Sequence, residues 1–384
     1  MNSSEPLAKG VVTLDDNGTV VDVGVLDDEC ESTEFYNGIL VPGFVNSHSH
    51  LELSHLKGAF TKGSGMAGFI RQINLLRNSV DLQGRAEAFA REMEQLYNSG
   101  VSAVADISNC DETFNYKSES PLYTRTFLEV FGSEPSDADE IVRGVKELSK
   151  KADEIGIDAA PTPHSCYTMS PRLLEMICRE ALSGGWLSYH NQESWEEEEL
   201  IKNGSGPLHH EYKRRGLSTP PITGEPALLY FLGMLDKVGG AKESKVLLVH
   251  NTFTDEYSAE SAIERVKNLF WAVCPLSNLF IHNSLPPLEL LRKKGAVITV
   301  GTDSLSSNDI LSMAEEIKCI DKYFPSIPLG EILQWCTING ARFLGVEDKF
   351  GSFEPGKKPG VVLIENVDLV NLKLREISTT RRLM

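Results

Sequence analysis

Two histidines separated by one residue, His48 and His50, are the first side chains in this sequence whose spacing could do chemistry. In an extended chain, residues two apart point to the same side, so both imidazoles can reach one metal ion. A His-x-His pair also arises by chance in many proteins, so this spacing alone leaves a metal site open. The seven cysteines are dispersed and never form a Cys-x-x-Cys pair, which predicts reduced thiols. Any metal must therefore be held by histidine and carboxylate.

Three further polar side chains lie just after short apolar runs of the sequence. They are His190, His250 and Asp303. If the apolar runs are parallel strands of a closed barrel, their carboxyl ends meet on one face of that barrel. These three residues would then lie near His48 and His50. Five candidate ligands at strand ends are hard to attribute to chance.

Eight short apolar runs, each followed by a helical pattern, would position these side chains. They cover residues 39–45, 101–107, 125–131, 157–162, 186–189, 245–249, 270–273 and 296–300. Several lack the alternation of a strand with one solvated face, which indicates strands covered on both sides, as in a parallel sheet. Between the runs, Ser170 and Pro171 predict the start of a helix that ends before Gly184. Eight strands alternating with helices predict a (β/α)₈ barrel, and a doubly wound open sheet is the main alternative.

The two ends of the chain differ from this middle part. Residues 7–36 alternate Val with polar residues around Asn17-Gly18, which predicts a β-hairpin. The sequence after Phe350 also has the pattern of short strands broken by Pro and Gly. We expect both ends to form one small β-sandwich, because the hairpin of either end would be marginal alone. This composite domain would contain residues 1–40 and 350–384, and the barrel would contain residues 41–349.

The composition is that of a globular protein, since 41% of the 384 residues are hydrophobic and 24% are charged. The 37 Lys and Arg against 55 Asp and Glu give a net charge of −18, which argues against nucleic acid and anionic lipid as partners. No apolar run approaches the roughly 18 residues of a membrane helix, and the N-terminus lacks the pattern of a signal peptide. These features predict a cytoplasmic protein. The oligomeric state stays open, a homo-oligomer included.

Five segments resemble the successive signature segments of the amidohydrolase superfamily, in its branch of aminohydrolases that act on purines, pyrimidines and triazines. They are VPGFVNSHSHLELS, SYHNQES, LLVHNTF, CPLSN and VGTDSLSSND, and the resemblance covers nearly the whole chain. It implies one divalent metal ion bound by His48, His50, His190 and Asp303. Zinc is the first choice, with Fe²⁺ and Mn²⁺ as alternatives that accept the same ligands. Binuclear relatives carry a bridging lysine at the end of strand four, and residues 159–163 of this chain contain none.

The same resemblance implies catalytic roles for Glu193, His250 and Asp303. Glu193 lies three residues after His190 and matches the proton-shuttling glutamate of the family's H-x-x-E segment. A carboxylate beside the attacking water can take its proton and pass it to a ring nitrogen. His250 would lie near that water and, together with Asp303, would position it.

Three more residues are candidate substrate contacts. His164 lies in TPHSCYTMSP, which resembles a family segment whose histidine often contacts substrate. Glu52 and Glu129 are placed at the same face of the barrel by the argument from strand ends, and either could instead orient a metal-bound imidazole.

The segment 203–225, rich in Gly, Pro and charge, is a candidate lid.

The resemblance implies hydrolytic deamination of an amino-substituted heterocycle, a purine base or a nucleoside derivative. The relatives to consider first are deaminases of the S-adenosylhomocysteine and aminofutalosine types. Two alternatives stay open at this point. The same metal site could hydrolyse a cyclic amide or a halogenated ring, because the substrate pocket makes that choice. The chain could also be a non-catalytic binding protein on the barrel scaffold, although a degenerate site would be free to lose some of its ligands.

Overall fold

The computed structural model describes residues 5–26 and 34–384. The strands in this part of the chain are β1 (Gly10–Leu14), β2 (Val20–Val25), β3 (Gly38–Pro42), β4 (Phe44–Ser49), β5 (Val101–Ser108), β6 (Tyr123–Val130), β7 (Asp158–Pro163), β8 (Trp186–Asn191), β9 (Lys245–His250), β10 (Asn268–Val273), β11 (Val297–Val300), β12 (Val361–Glu365) and β13 (Thr379–Arg382).

The helices alternate with the middle strands. They are α1 (Gly65–Leu76), α2 (Leu82–Asn98), α3 (Phe114–Glu119), α4 (Ala138–Glu154), α5 (Pro171–Ser183), α6 (Trp195–Asn203), α7 (Gly206–Arg215), α8 (Ala227–Lys237), α9 (Glu256–Arg265), α10 (Pro275–His282), α11 (Leu288–Lys293), α12 (Met313–Tyr323), α13 (Leu329–Gln334) and α14 (Gly340–Leu344). Short 3₁₀ turns cover Leu51–Leu56 and Pro135–Asp137, and a π-helical segment, Trp335–Asn339, joins α13 to α14. The predicted start of α5 is confirmed, because the Ser170 side chain accepts the backbone N–H of Leu173.

Strands β4 to β11 form the barrel. Strands β4–β7 make one parallel sheet and β8–β11 make a second. The sheets meet between β7 and β8, where the backbone N–H of His190 donates to the carbonyl of His164 at 2.9 Å. They meet again after β11, where the N–H groups of Thr302 and Asp303 donate to the His48 carbonyl at 3.0 and 3.1 Å. The predicted (β/α)₈ barrel is confirmed.

Strand β9 shows why the barrel strands have continuous apolar sequences. Leu247 and Val249 belong to the cluster that fills the barrel interior. Val246 and Leu248 point the other way and pack in the larger core between strands and helices. All four are buried. A strand covered on both faces has no position for an alternating polar residue, so periodicity cannot reveal which side faces inward.

The antiparallel strands come from both ends of the chain. Strand β12 lies between β3 and β13 in one sheet, and β1 pairs with β2 in a hairpin. The predicted hairpin turn is confirmed, since the Asp15 carboxylate accepts the N–H groups of Asn17 and Thr19 at 2.9 and 2.8 Å. The hairpin contacts the C-terminal part, because the N–H of Val20 donates to the Lys357 carbonyl at 2.8 Å.

The predicted first barrel strand, 39–45, is wrong in its bounds. Its first part is β3 of the antiparallel sheet, and the barrel strand begins at Phe44. Gly43 separates the two, since a Cβ atom at this position would lie 1.9 Å from Ser102 Oγ and 2.5 Å from the Pro359 carbonyl oxygen. Only glycine fits such a close approach. Two strands joined by one residue look like a single apolar run, and the proposed domain bounds stay a prediction.

Other sequence expectations concern single segments. The candidate lid, 203–225, contains helix α7, in which His209 is half-buried and His210 is exposed. Six cysteines of the described residues are free and five of these are buried, whereas Cys30 lies outside the described residues. Within residues 5–26 and 34–384, no helix combines the length and the apolar character needed to cross a membrane.

Candidate metal centre and active site

The four predicted metal ligands lie together at the carboxyl end of the barrel. The ligand nitrogens of His48, His50 and His190 are all within 4.8 Å of one another. Asp303 joins them from the segment after β11, with its Oδ1 atom 3.7 Å from Nε2 of both His48 and His50. All four residues are buried. Side chains that are up to 255 positions apart in the sequence are thus brought around one point.

The polar atoms of this cluster are arranged as metal ligands. Among the residues that the structure describes, neither ring nitrogen of the fully buried His48 has a hydrogen-bond partner. The Nε2 atoms of His50 and His190 are 3.2 Å apart. Two ligands of a tetrahedral zinc ion, each about 2.0–2.1 Å from the metal, lie about 3.3 Å apart. The residues present therefore fit a divalent cation.

Hydrogen bonds on one oxygen fix the Asp303 carboxylate. The hydroxyls of Ser277 and Ser307 donate to Oδ2 at 2.6 and 2.7 Å, and Oδ1 faces the imidazoles. Burial alone would raise the pKa of Asp303, but the neighbouring histidines, His250 foremost, and the Ser277 hydrogen bond hold that pKa well below its usual range. Asp303 is therefore ionised, as a metal ligand must be.

Burial keeps the imidazoles of His48, His190 and His250 neutral. Burial, reinforced by the neighbouring histidines, lowers the pKa of His48 and of His190 well below the usual value. Burial likewise lowers the pKa of His250 to about 4. A neutral imidazole keeps the nitrogen lone pair that a metal ligand needs. His48 and His190 thus have the neutral ring that a metal ligand needs.

The backbone is strained at two of these positions. His250 and Asp303 have φ angles of 71° and 55°, in the left-handed region that residues other than glycine rarely adopt. Asn251 holds the first of these turns, because its Nδ2 donates to the Leu248 carbonyl at 2.8 Å and its Oδ1 accepts from Asn191 Nδ2 at 3.0 Å. Strain that is held in place by such contacts is typical of functional sites.

Glu193 lies beside His250, with Oε1 3.6 Å from the His250 Nε2 atom. Its other oxygen, Oε2, accepts a hydrogen bond from the Tyr167 hydroxyl at 3.0 Å. Its backbone N–H donates to the buried Glu197 carboxylate at 2.8 Å. Burial, followed by the charges of Asp303 and Glu197, raises the pKa of Glu193 well above its usual value. A carboxyl group beside an attacking water can act as a proton acceptor and donor.

His250 is oriented as a hydrogen-bond donor. The side-chain amide nitrogen of Asn278, which can only donate, is 3.2 Å from Nδ1 of His250. In the neutral ring the proton is therefore on Nε2, which faces Glu193. A protonated nitrogen cannot bind a metal ion, so Nε2 of His250 is a hydrogen-bond donor directed into the site.

Two of the candidate substrate contacts, His164 and Glu129, lie beside His190. The His164 ring stacks on the His190 ring with centroids 4.3 Å apart and an interplanar angle of 15°. The Glu129 Oε1 atom is 3.4 Å from His190 Nδ1.

Glu52 is not brought to the histidine cluster. Its Oε1 accepts from Arg77 Nη2 at 2.6 Å, and its Oε2 accepts from the backbone N–H of Asn109 at 2.8 Å. Both carboxylate oxygens of Glu52 thus have protein partners.

Several side chains that complete the site were missed by sequence reasoning. They are Tyr167, Ser277, Asn278 and Ser307, which fix the carboxylates and His250. All four lie within segments whose resemblance to the family was recognised, TPHSCYTMSP, CPLSN and VGTDSLSSND. A hydroxyl or amide that supports a ligand has no spacing of its own, so that resemblance is the one signal that could have found them.

The sequence and the structure are both similar to known proteins. Residues 39–381 match the model of the amidohydrolase family. The chain is 30% identical over 330 residues to an adenosine deaminase of Helicobacter pylori, over 84% of this chain and 78% of that protein. It is 26% identical over 339 residues to a 5-methylthioadenosine/S-adenosylhomocysteine deaminase of Pelotomaculum thermopropionicum, over 85% of this chain and 72% of the other.

A solved structure shows the same similarity in three dimensions. The aminofutalosine deaminase of Helicobacter pylori, in complex with methylthio-coformycin, matches with a TM-score of 0.79 and 26% sequence identity. The match covers 95% of this chain and 88% of that one.

Proposed function

This chain belongs to the amidohydrolase family, and from that premise we propose that it hydrolytically deaminates an amino-substituted heterocycle. The substrate class is a purine base or a nucleoside derivative, because the relatives described above are deaminases of such compounds. The observation that carries the proposal is the cluster of three buried imidazoles and the Asp303 carboxylate, with Glu193 beside it.

The proposed cofactor is one divalent cation held by His48, His50, His190 and Asp303. Zinc is the first choice for three imidazoles and one carboxylate, and Fe²⁺ or Mn²⁺ would accept the same ligands. A cation held there would supply Lewis acidity, which lowers the pKa of water from about 15.7 to roughly 7.

In the proposed reaction, the protein side chains move and hold protons around the attacking water. Glu193 takes a proton from the water and delivers it to the ring nitrogen next to the carbon that bears the amine. The Tyr167 hydroxyl fixes Oε2 of Glu193, which leaves Oε1 directed towards His250. The Nε2–H group of His250 donates to the attacking oxygen. Glu193 then carries the second proton of the attacking water from the newly added hydroxyl to the exocyclic amine. The bond between the ring carbon and the amine breaks, ammonia leaves and the ring carbon becomes a carbonyl. The burial of these groups excludes bulk water from the transfer.

On the substrate side, we propose that His164 contacts the heterocycle. Its ring stacks on His190 and is also approached edge-on by Phe131 at 6.4 Å. Phe131 is about half exposed. The exposed ring of Phe131 and the half-buried imidazole of His164 thus form an apolar edge with one polar group. Such an edge suits a flat heterocyclic substrate whose ring atoms form hydrogen bonds.

The metal ligands alone do not separate deamination from hydrolysis of a cyclic amide or a halogenated ring. We propose to measure ammonia release from adenosine, 5-methylthioadenosine, S-adenosylhomocysteine, aminodeoxyfutalosine and guanine, beside a matched set of lactams and chlorinated triazines. We expect ammonia from at least one of the amino-heterocycles. Turnover of lactams or chlorinated rings without any ammonia would favour the alternative hydrolase.

The same preparation tests the non-catalytic alternative. A chain that takes up no zinc, iron or manganese when these ions are supplied would support a binding protein on the barrel scaffold. We further propose that the enzyme works in the cytoplasm, where its seven dispersed cysteines would stay reduced.

A further inference from the structure

Two buried atoms beside the metal centre have no hydrogen-bond partner and face each other. They are Oε1 of Glu129 and Nδ1 of His190, and within the described part of the chain neither forms a well-aligned hydrogen bond. They lie 3.4 Å apart, and both side chains are about 95% buried. The other nitrogen of the same ring, His190 Nε2, is directed to His50 at 3.2 Å. Glu129 thus lies behind the ring, on the side away from the cluster of ligands.

A second metal ion between Glu129, His164 and His190 is the alternative use of these atoms, since their ligand atoms also lie within 4.8 Å of one another. The stacking of the two imidazoles argues against it. A metal ion binds a ring nitrogen in the plane of the ring, and the two planes are nearly parallel, with centroids 4.3 Å apart. An ion in the plane of His190 is therefore well outside the plane of His164. His164 also directs Nδ1 to the Thr168 hydroxyl at 3.0 Å.

Glu129 is itself held from behind by a chain of hydrogen bonds. The Asn109 amide nitrogen donates to the Glu129 carbonyl at 2.7 Å and is 3.4 Å from its Oε2. Arg77 Nη2 donates to Asn109 Oδ1 at 2.7 Å and to Glu52 Oε1 at 2.6 Å. The Glu52 carboxylate in turn accepts the backbone N–H of Asn109 at 2.8 Å. These contacts connect the C-terminal end of helix α1 with the loop after β5 and the end of strand β6.

We propose that Glu129 is a positioning residue for the metal ligand His190. It accepts the Nδ1–H of His190, which fixes the tautomer and turns Nε2 towards the cation. Asn109, Glu52 and Arg77 hold Glu129 in this orientation, so neither glutamate contacts substrate. The inference rests on the metal centre of the proposed function. Carboxylates that accept from a ligating imidazole are common in zinc sites, and their loss typically weakens metal binding by 10–100-fold.

The test compares Glu129→Ala and Glu129→Gln with Asp158→Asn. Asp158 is the control carboxylate, because it is held by protein side chains, Arg125 and Tyr123, but lies at the opposite end of the barrel. The dissociation constant of Zn²⁺ would be measured without substrate, by competition with a chromogenic chelator. We expect about 10–100-fold weaker zinc binding in Glu129→Ala. Glu129→Gln, which can still accept through Oε1, should recover part of the loss, and Asp158→Asn should bind zinc like wild type.

Kinetics and stoichiometry separate the other outcomes. At saturating zinc, Glu129→Ala should lower kcat and leave KM unchanged within twofold. Unchanged zinc affinity with a raised KM would overturn the proposal in favour of a substrate contact.

Two zinc ions per wild-type chain and one per Glu129→Ala chain would assign Glu129 as a ligand. If wild type binds zinc but deaminates nothing, only the proposed function fails, whereas a wild-type chain that binds no metal overturns both. If Glu129→Ala does not fold, Glu129→Gln still tests the proposal.

Discussion

The polar side chains at the two ends of the barrel differ in how they are paired. At the amino end, Arg125 pairs with Asp158 at 2.7 Å and its guanidinium lies over the Trp186 ring, 3.7 Å from the centroid. The Tyr123 hydroxyl donates to the same aspartate at 2.7 Å. At the carboxyl end, both ring nitrogens of the buried His48 have no hydrogen-bond partner among the described residues.

This difference separates an end of the barrel whose polar groups stabilise the fold from an end whose polar groups are available to a ligand. Buried polar groups are normally paired, because an unpaired one costs about 1–3 kcal/mol. At the amino end, Arg125, Asp158 and Tyr123 bind one another, although Nε of Arg125 has no hydrogen-bond partner among the described residues. The carboxyl end departs from that rule with the neutral, unpaired imidazole of His48, near the end of β4, and with a strained backbone at Asp303, after β11. Atoms left unpaired at such a cost are available to a ligand from outside the chain.

The largest effect is expected from Glu193→Gln at the carboxyl end. Loss of a general acid–base group lowers turnover by about 10²–10⁴-fold. Glutamine has the same shape as glutamate, and position 193 is not one of the predicted metal ligands. The metal content of the variant should therefore stay at the wild-type level. The measurements are ammonia release at saturating substrate and metal analysis of the purified variant.

The matched variant is His190→Ala, which should lose metal first and activity as a result. The two variants therefore separate proton transfer from metal binding at positions three residues apart. Equal turnover of Glu193→Gln and wild type would remove the proton-transfer role of Glu193.

The sequence could predict which residues meet at the carboxyl end but not how they contact one another. His48, His190 and Asp303 could be placed because each follows an apolar run, and parallel strands end on one face. Glu129 could be placed on that face by the same argument. Its contact with His190 depends on the relative height and rotation of two strands that are not neighbours in the sequence, and spacing carries no information on either.

Glu52 and Gly43 show two further limits. Glu52 lies two residues after the His-x-His pair, but it is part of a 3₁₀ turn that directs its carboxylate to Arg77. The break at Gly43 depends on the close approach of Ser102, which is distant in the sequence. The order of elements could be predicted because it is encoded locally by apolar runs and helix signals, whereas these contacts are encoded by packing.

A smaller effect is expected from pH on the metal-free chain. His250 has a pKa of about 4 when folded against 6.5 for an ordinary histidine. Between these values the unfolded chain takes up a proton that the folded chain does not, so His250 makes the free energy of unfolding fall as the pH falls from 6.5 to 4. The contribution is about 3 kcal/mol.

The measurement is urea unfolding of wild type and His250→Gln without metal, at pH 7 and at pH 4. The loss of unfolding free energy between the two values should be smaller in the variant by about 3 kcal/mol. The comparison of the two chains cancels the buried carboxyl groups, Glu193 and Glu316, whose pKa values burial raises and which act in the opposite direction. Equal losses in the two chains would show that His250 is not held neutral by burial.

The smallest effect on catalysis is expected at the amino end, from Asp158→Asn. The substitution removes the charge that faces Arg125 but keeps an acceptor for Tyr123, and Asp158 is itself partly exposed. We therefore expect the free energy of unfolding to fall by about 1–2 kcal/mol. Strand β7 separates this position from the site by about 16 Å at about 3.3 Å per residue, so kcat, KM and zinc affinity should equal those of wild type. A several-fold loss of kcat with unchanged stability would show that the two ends of the barrel are coupled. The amino end would then contribute to catalysis as well as to stability.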